Sequence, residues 1–136
     1  MKTRFKILTE RKLIIACFSG TIAYQDVLQW FDNTREHPEF SKHFQGIVDL
    51  RKAEFGKMAG VKMAEKARAL AEYMIKIDFT TAKWAILADT PMETSLMMLY
   101  SKGASQKHPI EIFSTVKAAE EYLDIPLASA LKEMNA

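Results

Sequence analysis

The sequence predicts an α/β fold: a five-stranded, mixed, mostly parallel sheet with an antiparallel N-terminal hairpin strand and four to five helices. Three observations carry that expectation. From Leu13 onward, short apolar runs alternate with stripes of helical period, the pattern of a parallel sheet joined by right-handed crossovers. The first two apolar runs are separated only by Thr9-Glu10-Arg11-Lys12, a polar turn short enough for a hairpin. Some runs are apolar on both faces, as in strands covered from two sides.

Phe5-Lys6-Ile7-Leu8 is the hairpin strand, and Leu13 to Phe18 is its partner, apolar throughout and therefore central. Gly20 ends that partner. Tyr24, Val27, Leu28 and Phe31 form an i, i+3, i+4, i+7 stripe that predicts a helix over Tyr24 to Arg35, and Trp30 widens the stripe. A polar loop from Glu36 to Gln45 follows, and then a short strand, Gly46 to Leu50. Met63, Ala67, Leu70, Met74 and Ile77 mark one face of a helix over Ala59 to Lys76. Trp84 introduces a buried strand, Ala85 to Ala88. Thr90, Pro91 and Glu93 make a capping box with proline at the first helical position. The helix they start turns Met92, Leu96, Leu99 and Tyr100 inward and stops at Gly103. Ile110 to Phe113 is the last strand. Ser114 or Thr115 caps a helix through Leu123, and Pro126 begins a short terminal helix over 126–134.

At 136 residues, with 49% hydrophobic and 26% charged residues, the chain is expected to form one domain over 1–136. One cysteine excludes an internal disulfide framework. The longest apolar run, Leu13 to Phe18, is far too short to span a membrane. Arg11 to Cys17 imitates a lipoprotein signal, but its apolar stretch is too short and Glu10 stands where such signals are basic. The default expectation is a cytoplasmic protein, with Cys17 buried in its strand. Aromatic residues are not interleaved with the basic ones, so nucleic acid is not an expected partner.

Phe18-Ser19-Gly20-Thr21-Ile22 resembles the STAS-like families, above all the SpoIIAA-like group. So do Ile47-Val48-Asp49-Leu50-Arg51 and Ile112-Phe113-Ser114 followed by Ala118-Ala119-Glu120-Glu121-Tyr122-Leu123. The resemblance covers nearly the whole chain in element order. It implies the fold of anti-sigma-factor antagonists, of anion-transporter cytoplasmic domains and of CRAL-TRIO lipid carriers. In the antagonists, a phosphorylated serine or threonine between the third strand and the next helix switches docking to a kinase. Here that position falls in Arg51 to Gly60, and no Ser or Thr occurs from Lys42 to Phe79. The resemblance therefore implies a module without the phosphoacceptor.

Ligands of open parallel sheets gather at the carboxyl ends of strands. Ser19, Asp49, Arg51, Lys52, Asp89, Thr90 and Ser114 are expected there. Asp49 and Asp89 would serve as acid and base, or hold a cation, if they met; the competing reading is that Asp49 bonds backbone N–H groups. Glu36, His37, Glu39 and His43 crowd together without zinc-ligand spacing, and His108 stands apart, so no metal is expected. No Ser-His-Asp grouping, phosphate loop or dinucleotide fingerprint is present, so neither a catalytic residue nor a cofactor is expected.

Charge is segregated. Arg51 to Lys83 holds eight basic and four acidic residues, whereas Glu111 to Ala136 holds two basic and five acidic. The basic stretch is either a face for an anionic partner or a solvated helix surface with pairs such as Arg68 and Glu72. Six of the eight methionines (Met58, Met63, Met74, Met92, Met97, Met98) fall around the second and third helices. Methionine adapts to irregular apolar surfaces, so these helices offer a groove or a deformable core. Met97 and Met98 are adjacent and cannot both face the core.

The sequence thus supports a non-enzymatic protein-interaction or regulatory module, expected to be a homodimer, with a carrier or sensor of a small lipid-like apolar ligand as the alternative. Asp49, Arg51, Lys52, Phe55, Met58, Met63, Asp89, Met97 and Met98 are the candidate ligand- or partner-binding residues.

Overall fold

The computed structural model describes residues 1–55, 62–104 and 109–135, and for residues 63, 92, 93, 96, 99, 103 and 104 the backbone alone. Its elements are β1 (Lys2–Leu8), a 3-10 turn (Thr9–Arg11), β2 (Leu13–Thr21), α1 (Tyr24–Arg35), β3 (Gln45–Glu54), α2 (Met63–Lys76), β4 (Trp84–Leu87), α3 (Pro91–Ala104), β5 (Ile110–Phe113), α4 (Val116–Leu123) and α5 (Ala128–Met134). The fold is α/β. One sheet runs in the order β1-β2-β3-β4-β5, with β1 antiparallel to β2 and every other pair parallel.

Strand order equals chain order, so each crossover from β2 to β5 steps one place in the same direction. Right-handed crossovers that all step one way place their helices on one face of the sheet. The packing agrees: Trp30 and Phe31 of α1, Leu70 and Met74 of α2, and Met97 and Tyr100 of α3 share a core with Ile14, Ala16 and Phe18 of β2. The alternate residues of β2, Leu13, Ile15 and Cys17, pack instead with Ala119 and Leu123 of α4 and with Leu127 and Leu131 around α5. Period-two alternation therefore delivers β2 to two different cores, which is why its apolar run is unbroken.

At the edge, β1 turns Lys2, Arg4 and Lys6 to solvent and Thr3, Phe5 and Ile7 partly inward. Charges on an edge strand discourage pairing with a further chain. Lys12 leaves the 3-10 turn in the left-handed region at φ 53° and delivers the chain to β2.

Two strands run further than the apolar runs suggest. β2 continues to Thr21, and β3 to Glu54 rather than Leu50. In the extension Ser19, Gly20 and Thr21 pair with Lys52, Ala53 and Glu54, past the point where β4 stops; Ser19 still faces Lys2 of β1, and beyond it β2 and β3 form a two-stranded ribbon. Of these six residues Ala53 alone is buried, and Ser19, Thr21, Lys52 and Glu54 are polar, so little hydrophobic signal marks the extension. Arg51 and Lys52, expected beyond the end of the strand at Leu50, are corrected accordingly: both lie within it, as Asp49 does. Gly20 sits in the ribbon at φ 79°, a conformation that favours glycine, and does not end the strand.

α1 has the predicted bounds, with the Asp26 carboxylate accepting the Ala23 N–H at 3.2 Å. α2 is described from Met63, so its predicted start at Ala59 lies outside the described residues. Thr90 precedes Pro91, and its carbonyl accepts the Thr94 N–H at 2.9 Å, as at a helix start. Thr115, not Ser114, caps α4 by accepting the Ala118 N–H at 3.2 Å. α5 begins at Ala128 rather than Pro126. Its first N–H groups come with a carboxylate from the preceding helix, since Glu120 Oε2 accepts from Leu127 at 2.6 Å and from Ala128 at 3.1 Å. Those bonds hold the Glu120 carboxyl below its ordinary pKa. Among the described residues no helix is long and apolar enough to cross a membrane.

Candidate functional site

Two places on the fold gather the candidate residues, and the sheet separates them. The first is polar and lies toward the carboxyl ends of β2 and β3, on the face covered by α4 and α5. Asp49 is its centre and is 3% exposed. Between Cys17 and Ser19 of β2 the pairing advances three residues on β3, from Asp49 to Lys52, so β3 bulges there. A bulge interrupts the ladder and leaves backbone groups unpaired. Asp49 answers this directly: its Oδ1 accepts the Arg51 backbone N–H at 3.0 Å.

The same carboxylate binds the Arg51 guanidinium in bidentate fashion, with Nε to Oδ1 at 2.9 Å and Nη2 to Oδ2 at 2.8 Å. Asn135, at the end of α5, donates to Oδ2 at 3.2 Å and to the Leu131 carbonyl at 2.8 Å, and its amide lies 3.8 Å from Cys17 Sγ. Lys52 Nζ donates to the Asn135 carbonyl at 3.1 Å, and Arg4 Nη1 donates to the Met134 carbonyl. Burial by itself would raise the Asp49 carboxyl. The side-chain and backbone bonds from Arg51, its charge, and the bond from Asn135 outweigh burial and hold the carboxyl below its ordinary value.

Four donors fill the roughly four lone-pair positions of an ionised carboxylate. Asp49 thus has no acceptor position left for taking a proton from a substrate. Asp89 is exposed beyond β4 and acts on Arg51 through its charge. The arrangement closes the bulge and latches the terminal helix. Arg51 and Asp49 reward each other within the protein, and the acid–base reading of the two aspartates finds no free carboxylate oxygen on Asp49.

Cys17 is 5% exposed beneath this latch. Burial, and then the Asp49 charge, push its thiol up to about 11. We expect Cys17 to resist an aromatic disulfide reagent at pH 8 in the folded protein and to react at once in denaturant. Stoichiometric labelling of the folded protein within minutes would contradict its burial.

His37 and His43 do not converge on a shared site. His37 Nδ1 accepts the Glu39 N–H at 3.1 Å, and its ring meets Phe5 edge-on at 5.7 Å. His43 Nδ1 lies 3.0 Å from Thr81 Oγ1. Among the described residues no group of three His, Cys, Asp or Glu side chains is placed to hold a metal ion. His108 lies outside the described residues.

The second place is apolar and lies on the opposite face. A cavity of about 70 Å³ sits between the sheet and α1, α2 and α3. Sixteen described residues line it, and none is charged. The sheet contributes Phe18, Val48, Leu50, Trp84, Ile86 and Ile110; the helices and connections add, among others, Trp30, Phe55, Met74, Phe79, Met97 and Tyr100. An interior is ordinarily packed with few voids larger than a water molecule, so a void of this size amid large aromatic rings is a feature to be explained.

Three of the described lining residues, Trp30, Trp84 and Tyr100, carry side-chain hydrogen-bonding groups. Trp84 Nε1 donates to Thr80 Oγ1 at 2.9 Å. Tyr100 Oη donates to the Met74 thioether, a weak acceptor. Trp30 Nε1 is buried and has no partner among the described residues. Trp30 is ringed by Phe18, Phe31, Phe79 and Trp84, with centroid distances of 5.4, 5.4, 5.7 and 6.2 Å.

The candidate residues divide accordingly. Phe55 and Met97 are buried, 4% and 7% exposed, and face the cavity. Asp49 and Arg51 form the latch across the sheet, with Lys52 reaching over it. Of the adjacent pair on α3, Met97 goes inward and Met98 outward, 60% exposed. Met58 lies outside the described residues, and Met63 is described only in its backbone at the start of α2. Sequence reasoning placed Trp30 at the margin of the α1 stripe and assigned it no role; the chain's having two tryptophans was the available signal. Comparison with protein-family models and with curated proteins gives no match to this chain.

Proposed function

We propose that this chain is a carrier or sensor of a small apolar ligand held between the sheet and α1–α3. The observation that carries the reading is the uncharged cavity in an otherwise closed core. Four features support it. The cavity walls are aromatic rings and methionines, which bind apolar molecules through area and polarisability. Met74 and Met97 are flexible side chains that can change rotamer and enlarge the space. Phe55 and Met97, candidates for ligand or partner binding from sequence, are turned inward. The resemblance to the STAS-like superfamily is compatible, because that fold includes lipid carriers.

The present volume is about half of the ~150 Å³ of an engineered apolar cavity that accepts benzene, so the proposed ligand is small or widens its site. The test is thermal unfolding with a panel of small hydrocarbons, alongside native mass spectrometry of the freshly purified protein. Occupancy at ten times Kd stabilises the folded state by about 1.4 kcal/mol, which raises Tm by several degrees. No shift with any of the panel at saturation, together with a ligand-free mass, would defeat the reading.

A second reading, a protein-interaction or regulatory module acting as a homodimer, is favoured by one observation: Met98 stands 60% exposed on α3. On this reading, Met98→Glu converts a dimer to a monomer in sedimentation, since a charge in a desolvated contact is heavily penalised. A wild-type protein that sediments as a monomer at high micromolar concentration would remove it.

A further inference from the structure

The geometry points to a neutral ligand, largely apolar, bearing one hydrogen-bond acceptor of the carbonyl kind that takes the indole N–H of Trp30. This rests on the cavity being a ligand site and adds the polar feature that the ligand must carry. Trp30 is 7% exposed, lines the cavity, and has a solvent-inaccessible Nε1 without a partner among the described residues. A buried donor left unmade costs about 1–3 kcal/mol in the ligand-free protein. A ligand acceptor recovers that cost without displacing any existing bond. Trp84, the other tryptophan of the cavity, offers no such gain because its N–H is bound by Thr80.

The rest of the lining sets the other properties. Among the described residues no charged side chain faces the cavity. A carboxylate or ammonium taken in without a counter-charge loses its hydration unrecovered, so the ligand is neutral. Tyr100 provides a second donor, held by a thioether that competes weakly for it. Burial raises the Tyr100 phenol well above its ordinary pKa, so it remains a donor. Trp30 also borders a surface groove between β1 and α1, with Phe5, Gln29 and Asn33.

The experiment compares cyclopentanone with methylcyclopentane, probes of near-equal size that differ in the acceptor. Both are titrated into 15N-labelled protein, whose two indole resonances belong to Trp30 and Trp84. Cyclopentanone is expected to move the Trp30 indole proton downfield, and methylcyclopentane to leave it nearly in place; Trp84 should change little with either. In Trp30→Phe the cyclopentanone Kd should weaken about three- to tenfold relative to that of methylcyclopentane, the range a net hydrogen bond provides. If both probes bind but the Trp30 proton does not respond to the ketone, the acceptor inference is overturned and the cavity reading stands. If neither binds at saturation, the cavity reading falls and takes the inference with it. Should Trp30→Phe fail to fold, the wild-type indole shift decides alone.

Discussion

Gly46→Ala lowers the stability of this protein by about 3 kcal/mol, at the upper end of what overpacking a core costs. Gly46 and Trp84 face each other as register partners of β3 and β4. A methyl group at Gly46 would lie 2.4 Å from Cδ2 and Cε2 of Trp84 and 2.5 Å from Cε3. Those atoms belong to the rigid fused ring and cannot swing aside as the end of a flexible side chain does. The ring is 4% exposed, is bonded through Nε1 to Thr80, and is packed 5.4 Å from Phe79. The backbone of β3 cannot retreat either, because Gly46 pairs with Ile14 on the other side. The direction open to the indole is the cavity it lines. Gly46→Ala should therefore shrink the cavity as well as destabilise the fold, and the hydrocarbon-dependent rise in Tm should diminish with it. Urea unfolding reads the first effect as a lower midpoint at an unchanged slope. A loss below 1 kcal/mol would mean that the ring has room the structure does not show.

Asp49→Ala is the second large effect, also about 3 kcal/mol at pH 7. Removing one member of a buried ion pair typically costs 3–5 kcal/mol, and the lower end applies because the Arg51 side chain is 33% exposed and water compensates part of its charge. The loss includes the bulge N–H of Arg51 and the Asn135 amide, both of which lose their carboxylate. The pH dependence has a definite sign. The Asp49 pKa is lower in the folded protein than its ordinary 3.8. Its contribution is thus fully present above that ordinary value and is lost as pH falls through the lower folded one. The gap between wild type and Asp49→Ala should be constant from pH 7 to about pH 5 and narrow below pH 4. A gap that stays the same down to pH 2 would mean that the ion pair contributes nothing to acid sensitivity. Because α5 is held through Asn135, the variant should also speed amide exchange in α5 ahead of global unfolding.

These two residues show where the sequence is legible and where it is not. α1 and β5 are found at the predicted bounds, since each has an apolar pattern of its own and a clear stop. The ends of β2 and β3 are missed because the ribbon they form is mostly polar, and a period-two signal fades where Ala53 alone reaches the core. The start of α5 is missed by two residues because its capping carboxylate, Glu120, comes from another helix and not from the preceding residues. Asp49 is identified as a residue that matters, and its bonding to a backbone N–H was the structural alternative. Its four-bond enclosure needs Asn135, 86 positions away.

The nine candidate residues illustrate the same limit. Asp49, Arg51 and Phe55 are near one another in the chain, yet the first two belong to the latch under α5 and the third to the cavity under α2 and α3. A strand puts neighbours on opposite faces, and a bulge changes which face comes next, so proximity in sequence says little about a shared site.

The sequence by itself determined the α/β class, the hairpin at one edge and the run of parallel strands, the buried position of Cys17 and the outward turn of one residue of the pair Met97 and Met98. All of these follow from local periodicity, which the chain expresses within a few residues. Only the tertiary structure decided that Gly46 must be glycine, that Asp49 is enclosed, and that Trp30 lines a cavity with its N–H unmatched. Each depends on what a distant segment places against the residue: Trp84 over Gly46, Asn135 against Asp49, and a ring of aromatic side chains from β2, α1 and β4 and the loop before β4 around Trp30. Packing of this kind is set by the shapes of side chains brought together in space, and no local pattern encodes which shapes will meet.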